Sequence, residues 1–359
     1  MKSFTTSMKY FPNGCMATPL SGKKWPSKAP ALMAKSTQKV RLVNSFFTFR
    51  FFNDRIKISH DVHVFKPILV YFWEMKISGF TIIRNAIIND YPAVEAINSI
   101  LPVVDEMIVA VGKSDDDTEG LIREIGSDKI RIVHSTWDLS QLPGGKVMAL
   151  ETDKAFAHVS ADSDWAFYIQ SDEALHEQYL DNTYKAMQQW KDNERVEGLL
   201  FNYKHFYGSY DYVGASPRWY RKEIRIIRNR ADIFSYKDAQ GFRKLPNDKL
   251  SVKQIDATMY HYGYVRDPKK LAEKMNFNQA MHSDDPNKMM QFYNYDEVDA
   301  LFKFDDTHPK VMQERIDKMG WKFDFDPSFN KLRLKDKFKL FTEKLTGKRF
   351  GEYKNYKEF

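Results

Sequence analysis

The feature that most constrains the fold is a regular alternation of strand-like and helix-like segments that begins at Met75. Short apolar runs recur, and each is followed by a segment whose apolar residues have helical spacing. Strands are predicted over 76–83, 106–111, 129–133 and 165–169, with helices between them over 92–101, 116–125 and 146–159. Such alternation is typical of a parallel sheet covered by helices. The sequence therefore predicts an α/β fold with a mostly parallel sheet.

The remainder of the chain has a different pattern. The stretch 196–265 contains irregular strand-like runs with many aromatic residues, and after Pro268 the apolar spacing becomes helical. Helices are predicted over 268–281, 309–319 and 330–346. The last of these is basic and amphipathic, which is typical either of a membrane-surface contact or of packing on its own domain. We divide the chain into a leader at 1–74, an α/β domain at 75–267 and a helical C-terminal extension at 268–359.

The positive charge of the chain is concentrated in its first segment. Residues 1–74 carry 12 Lys/Arg and 3 Asp/Glu, whereas residues 75–359 carry 43 and 45. The nearly neutral body gives little support to nucleic-acid binding. The composition of the leader is typical of a transit peptide, or of upstream DNA translated from a misassigned start codon. We expect the leader to be disordered or not translated. A body without cysteine, Cys15 being in the leader, suits a cytoplasmic protein.

Polar residues follow three of the predicted strands. Arg84 and Asn85 follow the first strand, residues 114–118 follow the second, and residues 170–173 follow the fourth. Ligands of an open parallel sheet bind outside the carboxyl ends of its strands. We therefore predict that these three clusters converge on one edge of the sheet and form a binding site.

Each cluster has a functional and a structural interpretation. Asp172 can hold Mg²⁺ or Mn²⁺, which prefer oxygen ligands, and Gln170 would share its face of an extended chain. Alternatively, Asp172 caps a following helix. Asp115 and Asp116 can accept hydrogen bonds from a ribose or a base, or they complement the dipole of the next helix. Arg84 has the planar donor geometry that fits a phosphate.

Taken in order, these segments resemble the family 2 glycosyltransferases, which are inverting enzymes of the GT-A fold. That family has a strand ending in Lys/Arg-Asn, a strand leading into Ser-Thr-Asp-x-Thr, a basic turn before a helix, and a Trp-bearing strand ending in Asp-x-Asp-Glu. The matching segments here are IIRN at 82–85, SDDDT at 114–118, GGK at 144–146 and WAFYIQSDE at 165–173. A later segment, HYGYVR at 261–266, is similar to one that closes the domain in some members.

The resemblance implies a role for individual residues. It puts nucleotide contacts at Arg84, Asn85 and Asp116, which follow the first two strands. We add Asp115 as a further candidate for donor binding. It puts Lys146 beside the diphosphate or donor sugar, and Asp172 on a bound Mn²⁺ or Mg²⁺.

The chain departs from the family pattern at two positions. Val111 stands where the family usually has an aspartate that contacts the nucleotide, and Gln170 replaces the first aspartate of the metal motif. His261 either compensates as a further metal ligand, because neutral imidazole suits Mn²⁺, or is a structural hydrogen-bonded histidine.

An inverting transfer needs a carboxylate base near the acceptor hydroxyl. Glu223 and Asp238 are the candidates, because both follow the metal motif; the alternative is that they are ordinary surface carboxylates. Asp238 precedes a glycine-containing turn that can hold it in a cleft, and we prefer it.

We therefore predict an enzyme that moves a monosaccharide from a nucleotide diphosphate sugar to a glycan or lipid-linked acceptor, with metal assistance. The alternative is a non-catalytic GT-A-like module that binds a nucleotide or glycan, which Gln170 and Val111 favour.

Overall fold

The computed structural model of the chain describes residues 75–138, 140, 145–217, 219–282, 298, 300–326, 328, 331–346, 349 and 351–359, with the backbone alone for 277–282. The segment Val70–Phe359 forms one compact unit. The predicted leader at 1–74 and Gly144 of the glycine turn lie outside the described residues. The predicted division of the chain near residue 268 stays a prediction.

The described residues contain thirteen strands and seven α-helices. The strands are β1 (Ile77–Ile83), β2 (Glu106–Gly112), β3 (Ile130–Ser135), β4 (Trp165–Tyr168), β5 (Glu173–Leu175), β6 (Gly198–Tyr207), β7 (Tyr212–Gly214), β8 (Lys222–Arg228), β9 (Ile233–Tyr236), β10 (Gly241–Lys244), β11 (Asp248–Tyr264), β12 (Leu301–Lys303) and β13 (Tyr356–Glu358). The helices are α1 (Ala93–Ile100), α2 (Thr118–Arg123), α3 (Lys146–Phe156), α4 (Leu180–Trp190), α5 (Pro268–His282), α6 (Gln313–Asp317) and α7 (Leu334–Thr346). None of the helices in this part of the chain is long and apolar enough to cross a bilayer.

The first four strands pair with one another in parallel. Their order is β3-β2-β1-β4, and Ile83 near the end of β1 lies opposite Val111 of β2. The sheet continues through β8, which is antiparallel to β4, and through β6, which is antiparallel to β8. After β6 come β11, β10 and β9. This is the α/β, GT-A-like arrangement that the sequence predicted.

Both faces of the parallel strands are buried against helices. On β2, Met107 packs in the same cluster as Ile97 of α1, whereas the next residue, Ile108, packs in the cluster that contains Phe156 of α3. Successive side chains of a strand point to opposite faces, so a strand covered on both sides needs apolar residues throughout. The continuous apolar runs that marked these strands in the sequence have this cause.

The C-terminal part differs in detail from the predicted helical extension. The predicted helix at 309–319 is a short 3₁₀ turn at Lys310–Met312 followed by α6. Two short strands also lie in this region, and they pair with β7 and β11. Helix α5 begins at Pro268, directly after the long strand β11, and this position brings it to the site described next.

Candidate active site

The polar side chains that follow β1 and β2 are tied to one another. Asn85 has a left-handed backbone φ of 54°, a conformation that asparagine tolerates better than most residues. Its side chain accepts a hydrogen bond from the N–H of Asp115 at 2.8 Å and donates one to the Asp115 carboxylate at 3.0 Å. The N–H of Asn85 donates to the hydroxyl of Ser114 at 3.0 Å. The two clusters therefore meet at one edge of the sheet.

Two neighbouring carboxylates at this edge have different surroundings. Asp116 accepts hydrogen bonds from the N–H groups of Ile87 at 3.0 Å and Ile88 at 2.8 Å. Its second oxygen accepts one from the N–H of Thr118 at 3.0 Å. The side chain of Asp115, in contrast, is 70% exposed. Asp116 therefore orders the loop after β1, whereas the carboxylate of Asp115 is open to solvent.

The guanidinium of Arg84 lies along the end of β2. Its Nε donates to the carbonyl of Lys113 at 2.9 Å, and its Nη2 is 3.5 Å from the carboxylate of Asp115. The ring of Trp137 lies 6.0 Å from the guanidinium carbon and covers Gly112, where a Cβ would come within 2.4 Å of the indole nitrogen. A cation beside an aromatic ring provides a surface on which a phosphate and a base can bind.

The chain after β4 forms a turn and not an extended segment. The N–H of Glu173 donates to the carbonyl of Gln170 at 3.1 Å. The amide of Gln170 donates to the carbonyl of Ala239 at 3.1 Å, whereas the carboxylate of Asp172 contacts Lys274 at 2.8 Å. The expectation that Gln170 and Asp172 share one face is therefore wrong, because the alternation of faces needs an extended backbone. The alternative of a helix cap at Asp172 also fails, since β5 follows directly.

A fully buried ion pair fixes this turn. The carboxylate of Glu173 accepts hydrogen bonds from Nη2 of Arg225 at 2.7 Å and from its Nε at 2.9 Å, and neither side chain is exposed. The hydroxyl of Tyr203 donates to the same carboxylate at 2.7 Å. The sequence gives no local signal for this pair, because its members are 52 residues apart. Glu173 therefore supports the edge of the sheet and is not available to a ligand.

Asp172 lies in a buried group of charged side chains. Its Oδ2 is 2.8 Å from Nζ of Lys274, and its Oδ1 is 3.8 Å from Nε2 of His261. Burial alone would raise the pKa of Asp172, but neighbouring cations, Lys274 above all, hold it well below its usual value. Burial and the nearby Arg266 lower the pKa of Lys274 to about 8, although Asp172 acts in the opposite direction. His261 contacts His205 at 3.2 Å between the two Nδ1 atoms.

The residues around Asp172 do not fit a divalent cation. Mg²⁺ and Mn²⁺ need several oxygen ligands, but Asp172 is paired with an ammonium group and the amide of Gln170 is directed at a backbone carbonyl. In the described part of the chain, no group of three His, Cys, Asp or Glu side chains could hold a metal ion. This geometry does not favour the metal ligands predicted from the sequence, which are Asp172, Gln170 and His261.

Asp238 lies beside the start of α3. Gly145 precedes that helix with a left-handed φ of 70°, and a Cβ at this position would lie 2.4 Å from Cβ of Asp238. The turn that carries Asp238 has two further left-handed residues, Lys237 with φ 56° and Ala239 with φ 60°. Such strain is common where a side chain is held for a function. Oδ1 of Asp238 is buried and has no hydrogen-bond partner in the described residues.

Glu223 and Lys146 lie close to this turn. Glu223 is only 2% exposed, and a Cβ added to Gly241 would come within 2.4 Å of its Oε1. Burial raises the pKa of Glu223 to about 8; Arg225 opposes the shift and the charge of Asp238 adds to it. Lys146, at the first position of α3, is exposed. The two predicted base candidates and the predicted donor lysine therefore belong to one neighbourhood.

A separate cavity of about 740 Å³ lies between α1 and the segment around α6. Its lining includes Asp90, Glu95, Tyr210, Arg315 and Trp321. None of the site residues predicted from the sequence lines it, although Asp90 belongs to the loop that follows β1.

Comparison with known proteins gives low similarities. No protein-family model and no curated protein matches the chain. The chain is similar to solved structures. One is S. aureus TarS 1-349, at 14% identity and a TM-score of 0.33, covering 58% of this chain and 65% of that one. Another is glucosyl-3-phosphoglycerate synthase from Mycobacterium tuberculosis in complex with Mn²⁺, UDP and phosphoglyceric acid, at 23% identity and a TM-score of 0.25, covering 37% and 44%. A third is 4-diphosphocytidyl-2C-methyl-D-erythritol synthase from Anaerococcus prevotii, at 13% identity and a TM-score of 0.27, covering 43% and 70%.

These similarities do not assign a function. The chain spans less than two thirds of the length of TarS 1-349 and of the M. tuberculosis synthase.

Proposed function

We propose that the protein transfers a monosaccharide from a nucleotide diphosphate sugar to a glycan or lipid-linked acceptor. The observation that supports this proposal is that three kinds of polar group lie near the carboxyl ends of β1, β2 and β4. Arg84 and Asp115 suit a nucleotide, Lys146 at the start of α3 suits a phosphate, and Asp238 suits an acceptor hydroxyl.

Asp238 is the base of the proposed reaction. Its carboxylate takes the proton of the acceptor hydroxyl, and the oxygen then attacks the anomeric carbon of the sugar. The bond from that carbon to the diphosphate breaks, and its electron pair leaves with the nucleoside diphosphate. One displacement of this kind inverts the anomeric configuration. The unpartnered and buried Oδ1 of Asp238 supports this role, because a buried acceptor without a partner is costly unless a ligand satisfies it.

Glu223 is less suited to act as the base. With a pKa of about 8 it carries a proton at neutral pH and would donate a hydrogen bond. We propose that it holds the turn containing Asp238 and acts as a positioning residue. The predicted Mn²⁺ or Mg²⁺ takes no part in the steps above.

A panel of nucleotide sugars tests the proposal. The full chain is incubated with each donor and a set of glycan and lipid-linked acceptors, with and without Mn²⁺, and release of nucleoside diphosphate is measured. We expect release with one donor class, and a loss of about 100-fold or more in Asp238→Asn, since general base catalysis contributes typically 10²–10⁴-fold. Asp181→Asn is the control, because that carboxylate is 71% exposed on α4. Equal turnover of the two variants would refute the role of Asp238.

A non-catalytic module that binds a nucleotide or glycan is the second candidate. The observation that favours it is Gln170, whose neutral amide bonds a backbone carbonyl where the family pattern has a carboxylate. If a nucleotide binds but no acceptor in the panel leads to release of nucleoside diphosphate, this candidate replaces the first.

We also propose that α7 contacts an anionic membrane surface, where a lipid-linked acceptor would be found. Four apolar side chains on this helix are between 59% and 86% exposed: Leu334, Phe338, Phe341 and Leu345. Their spacing of three and four residues puts them on one face, and exposed lysines flank them at 335, 337 and 344. Amphipathic helices with this charge pattern bind anionic lipid surfaces. Glu343 of the same helix pairs with Arg221, which holds α7 on the domain.

A further inference from the structure

The candidate site contains a largely buried cation for which the sequence gives no local signal. Lys274 of α5 donates to Oδ2 of Asp172 at 2.8 Å and to the carbonyl of Gly263 at 2.9 Å, and its side chain is 13% exposed. An ammonium group has three N–H donors. The contacts with the described residues use two of them, so one N–H remains for a further acceptor.

A second cation lies next to Lys274. Nη1 of Arg266, which is fully buried, donates to the same carbonyl of Gly263 at 2.9 Å. The carboxylate of Asp172 contacts Lys274. The next carboxylate along the chain, that of Glu173, forms its ion pair with Arg225 instead. Among the described side chains, two cations and one carboxylate meet here, so the positive charges outnumber the negative one. Such a place repels a divalent cation and attracts an anion with two or more charges.

These cations lie at the edge of the sheet where the donor site is predicted. Asp172 follows β4, at the edge where ligands of open sheets bind. The loop after β1 reaches the same helix, because Lys270 donates to the carbonyl of Ile88 at 2.7 Å and Arg266 approaches the carbonyl of Asp90 at 3.4 Å. The cations thus contact both the loop that follows β1 and the turn that follows β4.

We propose that Lys274, held in place by Asp172, binds the diphosphate of the donor in place of a divalent metal ion, so that binding of the donor does not need a metal. This inference rests on the proposed function for the identity of the donor. Asp172 on this view is a positioning residue: it orients the ammonium group and offsets part of its charge. Arg266 adds positive charge from the side of the loop after β1.

Binding measurements test this inference separately from sugar transfer. Calorimetric titration of the full chain with UDP, GDP and inorganic pyrophosphate is carried out in EDTA and again in Mn²⁺. We expect at least one of these ligands to bind in EDTA with an affinity within about 3-fold of that in Mn²⁺. Lys274→Gln should weaken that binding about 10- to 100-fold, which corresponds to the loss of a charge-assisted hydrogen bond. Lys269→Gln removes an equal charge from an exposed position of the same helix and should change the affinity less than 2-fold.

A second variant separates a loss of diphosphate binding from a loss of folding. Lys274→Gln leaves Asp172 buried without its cation, which is destabilising. The double replacement Asp172→Asn/Lys274→Gln removes both charges, so its melting temperature should be closer to that of the wild type than the melting temperature of the single variant. It should still bind the diphosphate ligand about 10- to 100-fold more weakly than the wild type. Binding that appears only with Mn²⁺, or a folded double variant with wild-type affinity, would overturn the inference.

The remaining outcomes separate the two proposals. Metal-free nucleotide binding without transfer to any acceptor counts against the proposed function alone. Pyrophosphate binding without nucleotide binding refutes a nucleotide-sugar donor but keeps the cation site. Absence of binding in both conditions refutes both.

Discussion

Replacing Gly145 by alanine tests the contact between α3 and the proposed base. The added Cβ would lie 2.4 Å from Cβ of Asp238 and 3.0 Å from its Cα. Carbon atoms in ordinary contact are about 3.5–4.0 Å apart, so the turn carrying Asp238 has to move by about 1 Å. The left-handed backbone at φ 70° adds about 1–2 kcal/mol for any residue with a Cβ. Both effects are local, because Gly145 is the residue directly before the helix.

The displacement should affect turnover more than it affects stability. A reacting group moved by about 1 Å can cost on the order of 100-fold in rate. We therefore expect Gly145→Ala to release nucleoside diphosphate about 100-fold more slowly than the wild type. Its free energy of unfolding should fall by somewhat more than the 1–2 kcal/mol of the backbone term. Urea denaturation and the release assay on the same preparation measure the two quantities.

Gly126 provides a matched control. It has a similar left-handed φ of 67°, but a Cβ there meets no atom closer than the carbonyl of Glu124 at 3.8 Å. Gly126→Ala should therefore lose about 1–2 kcal/mol and keep its turnover. If the two alanine variants lose the same stability and the same activity, the contact between Gly145 and Asp238 does not position a catalytic group.

Three further predictions concern other parts of the molecule. Asp116→Asn should lower the midpoint of urea unfolding, because the carboxylate of Asp116 accepts hydrogen bonds from three backbone N–H groups. Asp115→Asn should weaken nucleotide binding in a titration and leave the midpoint of urea unfolding unchanged. Burial raises the pKa of Glu223 from 4.5 to about 8, so between these pH values the folded state binds one proton more than the unfolded state. The free energy of unfolding should therefore fall as the pH rises from 4.5 to about 8. Glu223→Gln should flatten this pH dependence, and an equal slope of unfolding free energy against pH in both proteins would contradict the prediction. Sedimentation with vesicles containing anionic lipid should be lost in Phe338→Ser/Phe341→Ser without a change in melting temperature, and binding equal to the wild type would remove the membrane proposal.

The parallel half of the fold could be predicted from sequence alone. Strands β1, β2, β3 and β4 and helices α1 and α3 lie within three residues of the predicted bounds. Local periodicity is sufficient there, because strands buried on both faces leave uninterrupted apolar runs in the sequence. The same pattern predicted that the polar clusters after β1, β2 and β4 lie at one edge, since parallel strands end on the same side.

The shape of each cluster could not be predicted in this way. The sequence suggested that Gln170 and Asp172 face a common metal, but a turn separates their side chains. Periodicity assumes an extended backbone, and it fails where the chain leaves the sheet. The partners of these residues are also distant along the chain.

What the sequence by itself determined is the order of strands and helices and the edge at which polar side chains gather. The tertiary structure decided which charges meet there. Lys274 reaches Asp172 across 102 residues of chain, and Asp238 meets Gly145 only because the turn after β9 packs on the start of α3. Contacts of this kind depend on packing between distant elements, for which a single sequence carries no local signal.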